Sequence, residues 1–328
     1  MSCGYVPPYQ ITDRIIHLVS RISEQVGIVT VKNKGIINPH LRKDNQIRTI
    51  HSSLAIENNS LSLEQVTDVI NGKRILGVPS DIREVKNAYE AYNLLLSFDP
   101  FSVEDLLKAH KILMFDLAKT AGRFRPGDVG VFNEERVVHI APPADLVPGQ
   151  IKNLLKWVKD ADVHLLIRSC VFHYEFEFIH PFADGNGRMG RMWQTLLLSR
   201  WKSVFNWLPV ETLIKEHQEE YYKVLGDADK AGDSTVFIEF MLGMIQDALD
   251  ELIQTEQVAE QATEQVGRLI SALGKETLSA KEILGRLELK HRPTLINNYL
   301  RPALKLGLIE MTVPDKPNSS KQKYRIIL

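Results

Sequence analysis

Cysteine is almost missing: the 328 residues contain two, Cys3 and Cys170. That excludes a disulfide framework and any cysteine-rich zinc site. Long apolar runs are missing too, since none approaches the roughly 18 residues that a membrane-spanning helix needs. The first ten residues, MSCGYVPPYQ, have no basic segment followed by an apolar stretch, which reads against a secretory leader. Neither sign of charge is in excess: 40 Lys+Arg against 41 Asp+Glu give a formal net charge of -1. This balance argues against a bulk nucleic-acid or membrane-surface protein while leaving room for a local basic patch. A reducing cytoplasm is the expected compartment. What the chain does have is 44% hydrophobic residues, enough for a substantial core, and a length that suggests two or three domains.

Long stretches free of Gly and Pro carry helical periodicity, and the fold class expected is mainly α. The spacing predicts helices over Thr12–Val26, Asp44–Asn58, Ser62–Asn71, Asp81–Ser97, Val103–Phe115, Pro148–Lys159 and Val163–Phe178. Further helices are predicted over Arg188–Arg200, His217–Asp229 and Thr235–Gln257. Two regions break this pattern. Gly122–Pro143 alternates Val129/Val131 and Val137/His139 around Asn133-Glu134-Glu135, which reads as a β-hairpin. After a Gln/Glu/Ala-rich linker at Thr255–Thr263, two short helices (Ser279–Leu287, Arg292–Leu306) precede alternating segments at Leu308–Thr312 and Lys323–Ile327. Two helices followed by a two-stranded wing suggest a winged-helix module.

Residues 180–191, HPFADGNGRMGR, concentrate a base, a carboxylate, flexible backbone and two cations. Pro181 disfavours a helical residue before it, so the preceding helix should stop near His180. The chain restarts as a helix near Gly187, and Gly185-Asn186-Gly187 becomes a loop feeding a helix N-terminus. Free N–H groups and the positive dipole end there favour an anion, and glycine lets it approach closely. Arg188 and Arg191, three apart, can clamp further phosphate oxygens. Asp184 could hold Mg²⁺, and His180 could take a proton from an attacking hydroxyl. Taken singly, these are a turn, a helix cap and a surface histidine; contiguous, they outline a phosphate-transfer site.

This run matches H-x-F-x-[D/E]-G-N-G-R-x-x-R at every defined position and so resembles the Fic (Fido) family. The likeness covers roughly residues 100 to 250 and includes the hairpin. It implies an all-helical core with a β-hairpin flap, and transfer of AMP from ATP to a Ser, Thr or Tyr hydroxyl of a protein, the chain itself included. By the same resemblance His180 is the general base and Asp184 holds Mg²⁺. The phosphate-binding run is Asp184, Gly185, Asn186, Gly187, Arg188, Met189, Gly190 and Arg191, with Asn186 orienting the α-phosphate. Arg188 would neutralise the β- and γ-phosphates and Arg191 the γ-phosphate, while Phe182 is read as buried anchoring. Tyr221 and Tyr222 become candidates for the adenine and ribose pocket, and adjacent tyrosines usually divide into one core and one rim residue. Asp229 stands where related proteins often carry Asn, which puts its role in doubt. The hairpin resembles a flap that aligns a target segment by strand addition.

Upstream, Ser53-Leu54-Ala55-Ile56-Glu57-Asn58 resembles the inhibitory [S/T]-x-x-x-E-[G/N] motif of many Fic proteins. In isolation it is an amphipathic helix with a solvated Glu57 and a stop at Asn58-Asn59. The resemblance pairs Glu57 with Arg191 bidentately, which would withhold the guanidinium from phosphate, and leaves AMP removal as a secondary activity. The division expected is an N-terminal helical domain (1–98) carrying the inhibitory helix, a catalytic domain (99–252) and a winged-helix-like module (260–328). For that module DNA and protein contact stay open, as do a homodimer, transfer of another phosphate-containing moiety and a nucleotide-sensing transcriptional regulator in place of an enzyme; no membrane partner is expected. His173 is read as a satisfied histidine and not as a zinc ligand.

Overall fold

The computed structural model describes residues 5–32, 39–133, 136–274, 276–317, 319 and 321–327, with backbone alone at 31–32, 39–41, 131–133, 136–139 and 255–263. Cys3, Glu134, Glu135 and Ser320 therefore lie outside the described residues. The chain divides into two compact units, Met1–Asp250 and Glu251–Leu328. No helix among the described residues is long and apolar enough to cross a membrane.

The first unit is helical: α1 (Asp13–Lys32), α2 (Pro39–Ile56), α3 (Leu63–Ile70), α4 (Pro79–Asn93) and α5 (Val103–Leu113) precede the hairpin. After it come α6 (Val147–Asp160), α7 (Leu165–Ile179), α8 (Asn186–Trp201), α9 (Val210–Glu216), α10 (Gln218–Ala231) and α11, which runs Thr235–Leu273. At the centre α7 packs on α8. Phe172, Phe176, Met189, Met192 and Trp193 are all fully buried, and neither helix has a solvated face over most of its length. Gly190 permits the close approach, because a Cβ there would stand 2.8 Å from Glu177 Oε1 and 3.3 Å from His173 Cδ2 of α7. The hairpin pairs β1 (Gly130–Asn133) with β2 (Arg136–Ile140) antiparallel, in the register Val131↔His139 and Phe132↔Val137, which leaves an irregularity between Val131 and Phe132.

Most boundaries fall within a few residues of the periodicity. Helix α3 starts at a capping box, Ser62 with Gln65, and α2 ends before Asn58, which takes the left-handed conformation (φ 67°) of a C-terminal stop. Three features differ. Helix α9 is not visible in the sequence pattern, because two turns following Pro209 are too short to establish a period. The expected helix to Ser97 breaks at Leu94 and continues as a 3₁₀ turn, Leu95–Ser97. The helix expected to end at Gln257 runs on to Leu273, so the Gln/Glu/Ala-rich linker, helical or flexible by its composition, is helical.

In the second unit a two-residue strand, β3 (Leu278–Ser279), joins β4 (Ile309–Met311) and β5 (Lys323–Ile326) in an antiparallel sheet of order β3-β5-β4. Helix α12 (Ala280–Arg286) is followed by α13 (Arg292–Leu295), a π turn (Ile296–Leu300) and α14 (Arg301–Lys305) where one helix was expected. Pro302 accounts for the π turn: its ring would press on a carbonyl four residues back, and the Arg301 N–H instead reaches five back to Ile296. Leu269, Leu273, Ile283, Leu295, Leu300 and Ile309 form the core of this unit.

Candidate active site

The loop between α7 and α8 is held from three sides. His180 caps α7 in the left-handed region (φ 48°, ψ 59°), a conformation that histidine tolerates better than most residues. Its carbonyl accepts from Arg125 Nε at 2.8 Å, and the Arg125 backbone N–H donates to the Pro181 carbonyl at 2.9 Å. The Arg125 side chain is fully buried; its guanidinium also donates to the carbonyls of Gly127 and Pro142. Arg125 therefore fixes the corner from which His180 projects, and nothing in its sequence neighbourhood announced that role. Phe182 is fully buried and stacks on the ring of His110 at 3.6 Å, with 3° between planes, so it is the anchor expected of it.

His110 supports the next turn. Gly122 N–H donates to its Nδ1 at 2.9 Å, so Nε2 carries the proton and donates to the Asp184 carbonyl at 3.0 Å. Burial, with Arg188 nearby, pushes its pKa down to about 4 and keeps the ring neutral. Gly185 needs to be glycine twice over: its φ is +84°, and a Cβ would stand 2.6 Å from Met114 Sδ. Asn186 closes the loop, donating from Nδ2 to the Phe182 carbonyl and accepting its N–H at Oδ1, both at 2.9 Å. With its amide engaged this way and the residue 3% exposed, Asn186 shapes the turn.

The two arginines of the run reach different partners. Arg188 Nη2 donates to Asp184 Oδ1 at 2.9 Å, and Nη1 to Glu84 Oε1 of α4 at 2.7 Å. Arg191 is turned toward α2: Nε donates to Ser53 Oγ (3.1 Å), and Nη2 to the Ser53 carbonyl (2.9 Å) and to Glu57 Oε1 (2.8 Å). The carboxylate thus meets the guanidinium through one oxygen and not bidentately, with Ser53 taking Nε and sharing Nη2. A Cβ on Gly187 would come 2.3 Å from Glu57 Oε1, so the carboxylate rests against the first turn of α8, where an anion is favoured. Burial raises the pKa of Glu57, but the charges of Arg191, Arg188 and His180 outweigh it and leave the carboxyl below its usual value. Burial alone would disfavour the Arg191 cation; Glu57 more than compensates, and its pKa rises.

Helices α9 and α10 grip the end of α2. Lys215 Nζ donates to the Ala55 carbonyl (2.9 Å), and Gln218 Nε2 and Tyr222 OH donate to that of Ile56 (3.1 and 3.4 Å). The adjacent tyrosines divide as expected, with Tyr222 49% and Tyr221 1% exposed. The Tyr221 hydroxyl donates to His173 Nε2 at 3.0 Å, while His173 Nδ1 donates to Gln194 Oε1 at 2.7 Å. Burial pushes His173 down to about 3, so it is a neutral core residue with both nitrogens satisfied. Tyr174 OH donates to Asp229 at 2.9 Å. His180, Asp184, Gly185, Gly187, Arg188 and Arg191 are thus gathered with Ser53 and Glu57, and Tyr222 lies beside them. Met189, Gly190 and Tyr221 face the packed side. Glu84, Arg125, Lys215 and Gln218 were not foreseen, being ordinary helix-surface or loop residues in sequence.

A solved Fic family protein from Desulfovibrio desulfuricans G20 is 52% identical, covers 98% of both chains and superposes with a TM-score of 0.77. The chain belongs to the Fic family. Residues 100–198 match the family described as Fic/DOC, and residues 264–327 match the C-terminal domain of the "Filamentation induced by cAMP protein Fic-like" family. The fold is shared with Fic-1 (residues 134–508) from Caenorhabditis elegans, at 22% identity, TM-score 0.62, and 75% and 72% coverage. Curated relatives include "Protein adenylyltransferase Fic" of Culex quinquefasciatus, 28% identical over 226 residues (63% of this chain, 42% of that one). "Protein adenylyltransferase fic-1" of C. elegans is 29% identical over 206 residues (58% and 38%). The chain spans less than half the length of these two relatives.

Proposed function

We propose that this Fic protein is a protein adenylyltransferase, transferring AMP from ATP to a side-chain hydroxyl of a protein and to itself, and that Glu57 holds it in check. The observation that carries this reading is the Glu57 carboxylate, seated between Gly187 and Arg191 at the N-terminus of α8. An anion from the protein's own chain fills the place that the α8 N-terminus and Arg191 offer to phosphate. The relatives' names supply the reaction class.

The target hydroxyl oxygen bonds to the α-phosphorus while the bond from that phosphorus to the pyrophosphate oxygen breaks, and His180 accepts the hydroxyl proton. Arg125 and the left-handed backbone at His180 aim the base. The backbone N–H groups of the 185–187 turn, shaped by Asn186, carry phosphate, with Arg188 and Arg191 as cations. Asp184 fits a magnesium site: its side chain is 59% exposed, one oxygen goes to Arg188, and the ion takes as few as one protein carboxylate. The ion would neutralise phosphate charge. Tyr222 stands at the rim where a base could stack. In functional terms, residues 1–98 supply the inhibitory helix, 99–252 the catalytic residues and 260–328 a winged-helix-type module.

Intact mass after incubation with ATP and Mg²⁺ tests this. Wild type and Glu57→Gly are compared with His180→Ala in either background. One AMP added to Glu57→Gly, and none to a protein with His180→Ala, is expected. Label entering from the γ-phosphate instead of the α-phosphate would overturn the reading.

A further inference from the structure

The near-neutral net charge conceals a segregation in the second unit. From Leu289 to Leu308 the chain carries four Lys or Arg and no Asp or Glu, and from Lys316 to Leu328 again four and none. Elsewhere acid exceeds base, since the whole chain has 40 cations and 41 anions. The first stretch contains α13, the π turn and α14; the second contains β5. Leu295, Tyr299 and Ala303 are buried in the same cluster as Ile309 and Tyr324, so one side of the helix lies on the sheet. The opposite side presents Asn297, Asn298, Arg301 and Lys305, all exposed, and Arg292 is exposed at its start. Lys323 alternates with the buried Tyr324 and so projects from the sheet face turned away from the helix, where Glu282 lies near it and Glu310 pairs with Arg325 at 2.6 Å.

We propose that this exposed side of the helix Arg292–Lys305 binds double-stranded DNA. The charge fits a polyphosphate backbone, and the helix, packed on its sheet by one side only, is free to enter a major groove about 12 Å wide. Arg292, Arg301 and Lys305 contact phosphates. Asn297 and Asn298, in the middle of the helix, have the paired donor and acceptor that an adenine edge matches. An acidic protein would satisfy the cations but gives no use to two exposed asparagines at the centre of the face. The proposal stands apart from the catalytic reading, since none of these residues belongs to the first unit.

The test is fluorescence anisotropy of a labelled duplex of about 30 base pairs with the full chain, at 50 and 200 mM NaCl. About three phosphate contacts predict an affinity loss of about 40-fold between those salts. Arg292→Ala/Arg301→Ala should weaken binding at 50 mM at least tenfold and reduce the salt slope by about two. Both side chains are exposed, and an unchanged melting temperature confirms folding; should the pair misfold, Lys305→Ala alone should reduce the slope by about one. Absence of duplex binding at 50 mM, an unchanged slope in a folded variant, or equally tight binding of polyglutamate would each overturn the proposal. AMP transfer by the arginine variant should equal that of wild type.

Discussion

Replacing Glu57 by glycine should raise AMP transfer and lower thermal stability together. The two effects come from one contact. Glu57 Oε1 lies 2.8 Å from Arg191 Nη2, with the guanidinium 1% and the carboxylate 30% exposed. A hydrogen bond to a charged partner contributes about 1.5–3 kcal/mol, and partial exposure of the carboxylate argues for the lower half, about 2 kcal/mol. An incoming phosphate must displace that interaction before Arg191 can engage it. Removing the competitor is therefore worth a factor of about 30 in the initial rate at limiting ATP. The same change leaves Arg191 buried without its carboxylate, so the melting temperature should fall by about 3 °C or more. Initial AMP incorporation by intact mass, with differential scanning calorimetry on the same preparation, reads both quantities. Glu57→Gln, which keeps the shape and loses the charge, should lie between. A variant that loses stability with no gain in rate would show the pair to be structural only and would refute the competition.

Other outcomes follow from the same geometry. Lys215→Met removes the ammonium from the carboxyl end of α2; if that helix restrains the site, it should loosen and AMP transfer rise about fivefold, for a contact of about 1 kcal/mol. Arg125→Met leaves the His180, Gly127 and Pro142 carbonyls without their side-chain donor, and the rate in the Glu57→Gly background should drop at least 100-fold as His180 loses its aim. Stability should also depend on acid through two histidines. His110 and His173 have folded pKa values of about 4 and about 3 against an ordinary 6.5, so the neutral forms stabilise the fold above pH 6.5. That stability is lost as pH falls from 6.5 toward 4 and 3, by up to about 1.4 kcal/mol per pH unit for each. Calorimetry from pH 7 to 4 should show the decline, and His173→Gln should make it shallower.

Much of the fold was legible because it is local. The helices α7 and α8 are apolar on nearly every side, and such helices have to be buried together. The His180–Arg191 run was legible because its groups are contiguous: Pro181 stops one helix, the Gly185 turn starts the next, and the anion seat follows from backbone. Helix α9 escaped notice because two turns contain too little period, yet it brings Thr212 and Lys215 against α2. Glu84 and Arg125 escaped because their partners are 104 and 55 positions away, and each looks solvated in its own neighbourhood.

By itself, then, the sequence determined a local arrangement: a histidine beside a glycine-bounded turn at a helix N-terminus, with cations in its first two turns. These depend on φ preferences, proline geometry and helix capping, all of which act within a few residues. Only the tertiary structure decided which anion occupies that turn and which carboxylate each arginine meets. A charged side chain on an amphipathic helix reads the same whether it faces water or another helix. Packing α2 and α4 against α8 removes the water, and at that point Glu57 and Glu84 become the partners of Arg191 and Arg188.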